Sequence, residues 1–217
     1  MYFYLSYLVQ KNQFKGLKDI ISNIEYINST LLLSQGKSWI ESKNFKNFQN
    51  VFSCQNHNHI ISEFLFLISN LYSAQDDFER SNFYLYLSNF SNPKFVFNLS
   101  LVAENYYFNE DYSKSRKILK NFKEKYNFYY WFRIKKEAQI IAKQQSSERS
   151  IKFISSEFNK IEKPNNKMIF DLANFYKNSK DYKTAIKYYS IVIENFENNP
   201  DVKSDLLYRR GSSYERI

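Results

Sequence analysis

The sequence predicts an all-α protein built from stacked helical hairpins, and three observations carry that prediction. First, one pattern recurs at matching offsets: SNLYSAQDDFERS at 69–81, AENYYFNEDYSKS at 103–115 and ANFYKNSKDYKTA at 173–185. Each has a small residue, an aromatic three later, an Asp-aromatic pair and a second small residue. Ser69 and Ala103 lie 34 residues apart, and a fixed spacing of that size marks a stacked repeat. Second, the 217 residues hold only 3 Gly and 3 Pro, too few turn formers for a Rossmann sheet, a barrel or a P-loop fold. Third, 43% of the chain is hydrophobic, enough for a continuous core.

Each unit is numbered from 1, with small residues at 8 and 20, aromatics at 11 and 17, and a large apolar residue at 24. In chain order, Leu5, Leu8, Phe14, Leu17 and Ile21 fit these offsets in a partial first unit. Gly36, Trp39, Phe45, Phe48 and Phe52 fit a unit starting at Ser29, with Phe48 oversized for position 20. The unit at Ser62 has Ser69, Tyr72, Phe78, Ser81 and Leu85, and Pro93 at 32. The unit at Val96 has Ala103, Tyr106, Tyr112, Ser115 and Leu119. A degenerate unit near Trp131 keeps Ala138, Ile141, Ser150 and Ile154. The unit at Asn166 has Ala173, Tyr176, Tyr182, Ala185 and Tyr189. The last unit starts near Ser204 and places Leu207, Gly211 and Tyr214 at 4, 8 and 11. Small residues at 8 and 20 let the two helices of a hairpin approach; the large side chains fill the space between units, so units stack to bury both faces. Extra residues are expected in loops such as Asn195 to Pro200, where insertion costs least.

These offsets resemble the tetratricopeptide repeat family of bacterial type, over essentially the whole chain. The resemblance implies an α-α superhelix, a right-handed solenoid forming a single array over residues 1–217. Units start near 29, 62, 96, 131, 166 and 204, with a partial unit before 29 and the last unit truncated. It also implies a non-catalytic protein-protein interaction scaffold, presenting a concave groove to a peptide or helix of a partner. In this family the groove is lined by the first helix at positions 2, 5, 9, 12 and 13. That set includes Phe66, Asn70, Ser100, Tyr107, Lys135, Gln139, Phe170, Asn174, Lys177 and Asn178, of which Asn70, Tyr107, Lys135, Gln139, Asn174, Lys177 and Asn178 are the partner-binding candidates. The chaperone-binding branch grips a carboxylate with a Lys/Asn/Lys/Arg clamp. Lys135 suits it, but Gln139, Asp171 and Asp205 depart from it, so binding of a chaperone tail does not carry over. An alternative is a structural or assembly module at the N-terminal end of a longer repeat protein, since the register breaks off at Ile217 and enters its first helix under way at Met1. On that reading the last helix lacks its cover, and the chain associates through its C-terminal end.

Composition narrows the function classes. The net charge is +9, but Lys and Arg are interleaved with Asp and Glu, whereas a nucleic-acid binder clusters them on one face. A nucleic-acid-binding helical repeat is thus the third reading. The abundance of Phe, Tyr, Ile, Asn and Lys matches AT-rich codons and reads as base composition. No nucleophile elbow, zincin, Walker or dinucleotide motif is present, so no enzyme, catalytic residue or cofactor is expected. Cys54, His57 and His59 match no standard zinc spacing and read as an inter-repeat loop, with no metal expected. The sequons at Asn28, Asn89 and Asn98 read as accidental. One cysteine excludes an internal disulfide, and no apolar run reaches the roughly 18 residues of a membrane span. A cytoplasmic location is expected, with the periplasm open to a piece of a secreted precursor.

Overall fold

The structure, a computed structural model, describes residues 1–22, 24, 27, 29–122, 127–196 and 200–217, with the side chains of 18, 127 and 201 left aside. Asn28 of the first sequon and the middle of the 195–200 loop lie outside the described residues. Helices account for 76% of the chain and no strand occurs among the described residues, so the main-chain hydrogen bonding is local throughout. The contacts divide the chain into two units: residues 1–24 and 29–133, and residues 25–28 and 134–217.

The first unit holds α1 (Tyr2–Gln10), α2 (Phe14–Ser22), α3 (Leu31–Glu41), α4 (Lys46–Val51), α5 (His57–Ser73), α6 (Phe78–Ser91), α7 (Phe97–Phe108) and α8 (Tyr112–Leu119). Helix α9 (Asn127–Gln144) runs from this unit into the next. The second unit continues with α10 (Ser147–Phe158), α11 (Asn166–Asn178), α12 (Tyr182–Glu194) and α13 (Pro200–Tyr214). Packing is mostly sequential: α5 on α6, α6 on α7 and α7 on α8 in the first unit, where α1 also packs on α3 and α4, then α11 on α12 and α12 on α13 in the second.

The repeated Asp-aromatic pair has a local cause. Asp77, Asp111 and Asp181 are N-caps, and each side chain accepts a hydrogen bond from the backbone N–H three residues on, in Arg80, Lys114 and Thr184. A cap of this kind satisfies a donor that the first helical turn leaves open, worth about 1 kcal/mol. The residue before each Asp is left-handed: Asp76, Glu110 and Lys180 have φ of 58, 59 and 66°. Asn12 and Lys43, at the same register position, share it at 55°. This conformation reverses the chain between the helices of a hairpin. The N–H of Asp77 reaches the Tyr72 carbonyl, that of Asp181 reaches Tyr176, Asn44 reaches Trp39 and Gln13 reaches Leu8. These bonds close the last turn of each first helix onto otherwise orphaned carbonyls. None of the five left-handed residues is a glycine, so each carries a Cβ penalty. Lys180→Gly is therefore expected to raise the unfolding free energy by about 0.5–1 kcal/mol, measured by urea denaturation. A loss of stability would count against this account of the turn. The α9–α10 turn differs: Ser146 is the cap, in extended conformation, with its hydroxyl accepting from Arg149 N.

Register positions 8, 20 and 24 are buried in all six hairpins. The pairs at 8 and 20 are Leu5/Leu17, Gly36/Phe48, Ser69/Ser81, Ala103/Ser115, Ala138/Ser150 and Ala173/Ala185. Position 24 is Ile21, Phe52, Leu85, Leu119, Ile154 and Tyr189. Two pairs touch directly: Ser115 Oγ donates to the Ala103 carbonyl at 2.9 Å, and Ser150 Oγ to the Ala138 carbonyl at 2.6 Å. Serine is tolerated there because it is small and its hydroxyl finds a partner: the facing carbonyl for Ser115 and Ser150, the Phe66 carbonyl of its own helix for Ser69, and Asn105 for Ser81. The oversized Phe48 is accommodated by exchange of bulk, since its partner is Gly36. A Cβ on Gly36 would lie 3.5 Å from Phe48 Cζ and 3.3 Å from Tyr2 Cδ2.

The core of the first unit is aromatic. Phe95, in the turn between α6 and α7, lies against the rings of Tyr2, Phe3, Phe66 and Phe97 at centroid distances of 5.4–6.4 Å. Around it runs a buried polar network. Asn105 Nδ2 donates to Ser81 Oγ and Asn82 Oδ1, and its Oδ1 accepts from Ser73. Asn98 donates to Ser88, Ser62 and Ser88 bond each other, and Asn92 donates to the Val51 carbonyl at 2.7 Å. Asn98 and Ser100 are fully buried, which puts that sequon out of reach of a glycosylating enzyme.

Candidate partner-binding face

Five of the seven sequence-derived groove residues fall in the second unit: Lys135 and Gln139 on α9, and Asn174, Lys177 and Asn178 on α11. Asn70 and Tyr107 belong to the first unit, on α5 and α7, and are described separately.

In the second unit the first helices of successive hairpins are linked by polar side chains. Lys135 Nζ forms an ion pair with Asp171 Oδ2 at 2.9 Å, joining α9 to α11, with both side chains largely buried. Lys177 Nζ donates to Ser212 Oγ at 2.5 Å, joining α11 to α13. Asn174 Oδ1 accepts from the Tyr189 hydroxyl at 2.6 Å. Lys167 Nζ donates to the Ile27 carbonyl at 2.9 Å. Arg209 pairs with Asp205 at 2.9 Å and lies 5.2 Å over the Phe170 ring. Arg210 donates to Ser190. One arginine thus covers an aromatic with its guanidinium while the other braces α12. Asn178 is exposed, and Gln139 Oε1 is buried with no hydrogen-bond partner.

Asp171 and Asp205, which break the chaperone-clamp pattern, are the ion-pair partners of Lys135 and Arg209. Part of the positive charge of these helices is therefore met within the chain.

Cations still outnumber carboxylates. Lys135 and Lys167 lie about Asp171, and Lys177 and Arg209 about Asp205. Burial lowers the pKa of Lys167, and Lys135 lowers it further, against an opposing pull from Asp171. Burial also lowers the pKa of Lys177, assisted by Arg209 and Arg216. In both cases burial is the main cause, and for Lys177 the nearby Asp205 and Tyr182 pull the other way. Burial raises the Tyr189 hydroxyl to about 12, so it remains a donor to Asn174.

Three groove positions are corrected. Phe66, Ser100 and Phe170 are buried rather than presented: Phe66 packs on Phe95, Ser100 bonds the Phe97 carbonyl, and Phe170 lies beneath Arg209. Asn70 donates to the Phe66 carbonyl, four residues back, and Tyr107 packs on Phe108 and Tyr112. Position 5 is buried as Phe66, Ser100 and Phe170, whereas in the unit at 131 it is Lys135, partly buried and paired with Asp171. The nature of the residue there, Phe in two units, is the signal that distinguishes it.

Lys135 is also more than a surface group. Lys135→Ala removes the cation facing a mostly buried carboxylate and is expected to cost about 1–2 kcal/mol. This exceeds the half kcal/mol or less typical of an exposed site. Thermal melts of Lys135→Ala and Asn178→Ala in parallel check this; equal midpoints would show the ion pair to be energetically idle.

In the 53–59 turn, His59 Nδ1 accepts the Ser53 N–H at 2.9 Å, so the imidazole closes the turn into α5. Cys54 is exposed, and no group of three His, Cys, Asp or Glu side chains among the described residues is arranged to hold an ion. Comparison with protein-family models, curated proteins and solved structures gave no match.

Proposed function

We propose that the chain is a non-catalytic binding scaffold, a solenoid of tetratricopeptide-like hairpins whose first-helix face in the second unit receives a carboxylate-bearing peptide or helix of a partner protein. The observation that carries this reading is the cation surplus on α9, α11 and α13, held in place by bonds between successive first helices. Such a face loses little side-chain entropy on binding, because Lys135, Asn174 and Lys177 are already ordered. Acidic segments suit it by charge, and an extended peptide can take main-chain bonds from the amide and ammonium donors.

The test is capture with a photo-crosslinking residue at the exposed Asn178, followed by mass spectrometry, with acidic and basic peptide pools as competitors. Capture that acidic peptides compete away, and that falls about tenfold in the Lys135→Ala/Asn174→Ala/Lys177→Ala variant, supports the reading. Undiminished capture by a folded triple variant would refute it.

A further inference from the structure

We infer that the outer stripe of α5 is a self-pairing seam, through which two copies of this chain associate antiparallel. The stripe is Ile60, Phe64, Leu67 and Leu71, spaced 4-3-4 along a single helix. That is the alternation of a coiled-coil seam, which packs against a second such seam. All four side chains are open, from 43% exposed at Ile60 to 65% at Leu71, with Ile61 beside them at 49%.

The stripe is not a consequence of a frayed helix. Asn56 caps α5 with its side chain on two backbone N–H groups. The opposite face carries Ser62, Phe66 and Ser69, all buried against α6 and the aromatic core. The helix is therefore fixed, with its apolar stripe turned outward, and exposed apolar patches of this kind mark interaction sites.

Three features favour a second copy as the occupant. A 4-3-4 spacing read backwards is again 4-3-4, so the stripe is its own complement under a two-fold axis, as an isologous interface requires. Antiparallel pairing sets Phe64 against Leu67 of the second copy and Ile60 against Leu71. The charge pattern also fits. The chain is +9 overall, yet residues 64–75 and 81–93 contain no charged residue, so two copies meet here without opposing lysines. At the tip of the hairpin, Asp76, Asp77 and Glu79 against Arg80 leave a net charge of −2. At its base stands Lys94, near His59, whose pKa is lowered chiefly by burial and further by that lysine. Antiparallel pairing brings the acidic tip of one copy to the base of the other. Finally, the five open side chains offer roughly 500 Å² per copy, so two copies bury on the order of 1,000 Å², the lower bound for a specific interface. A weak, concentration-dependent dimer is the result.

Sedimentation of the full chain up to about 100 µM tests this, with a dissociation constant expected in the range of roughly 10 µM. Leu67→Glu, and independently the milder Leu71→Gln, should weaken the dimer, Leu67→Glu by at least about 30-fold, with helix content unchanged by circular dichroism. Lys94→Glu or Glu79→Lys alone should weaken it about threefold, and the two together should restore it. A chain that stays at 26.3 kDa throughout overturns the proposal. So does a dimer indifferent to both seam variants, or one lost only on Leu207→Glu, which would place the contact on α13. Binding to neutral lipid vesicles by a chain that never dimerises would assign the stripe to a lipid surface and overturn it equally.

Discussion

Phe95→Ala is expected to lower the unfolding free energy by about 3–5 kcal/mol, the largest loss foreseen for a single residue here. The ring is 1% exposed and lies against four other aromatics from α1, α5 and α7. Truncation removes the transfer free energy of the ring and leaves a cavity that the turn between α6 and α7 cannot close. That turn is held by the bond from Phe95 N to the Asn92 carbonyl and by Asn92 Nδ2 on the Val51 carbonyl. The melting midpoint should fall by roughly 10 °C, on a scale of about 2–4 °C per kcal/mol for a chain of this length. A fall under about 3 °C would mean that the aromatic cluster relaxes around the gap.

Nothing in the repeat pattern marks Phe95. It follows Pro93 in the connection between two units, where the template prescribes no apolar residue, and its burial comes from α1 folding back over it. Contacts between residues so far apart in sequence leave no periodic trace. The buried asparagines were hidden for a different reason. Asn82, Asn92, Asn98 and Asn105 read as part of an AT-rich background, because composition cannot separate a solvated amide from one buried and bonded inside; even so, the Oδ1 atoms of Asn92 and Asn98 are buried with no hydrogen-bond partner. Their partners, Ser73, Ser81, Ser88 and the Val51 carbonyl, are legible only once the helices are placed.

What was legible is what repeats. Positions 8, 20 and 24 were assigned from spacing alone, and all six hairpins bury them, while Gly211, at position 8 of the last unit, is exposed. The aspartate at 16 was visible as a signature, and its capping role explains why it recurs. The candidate face was legible only by position. Lys135, Asn174 and Lys177 do stand on the first helices of their hairpins. Lys135 and Lys177 meet Asp171 and Ser212 of the next unit, about 35 residues on, which spacing within one unit does not reveal; Asn174 meets Tyr189 inside its own unit, 15 residues on.

Ala185→Leu tests that register most sharply, with an expected loss of about 1–3 kcal/mol. Ala173 and Ala185 are both wholly buried, on the packed pair α11 and α12. In two other hairpins the equivalent residues meet at hydrogen-bond distance, side chain on main chain, so this position is where backbone approaches backbone. Leucine there adds three heavy atoms with no cavity to take them, and α12 must move off α11, disturbing Tyr189 and its bond to Asn174 at the same interface. The control is Ala74→Leu, at an exposed position just past the end of α5, where added bulk meets solvent and stability should change by less than about 0.5 kcal/mol. If the register were displaced by one residue, Thr184 or Ile186 would be the contact, and both are already larger than alanine. Tolerance of leucine at 185 with an unchanged urea midpoint would thus show that the hairpin closes on a different face of α12, and that the small residues at 8 and 20 are not what sets the distance between the helices.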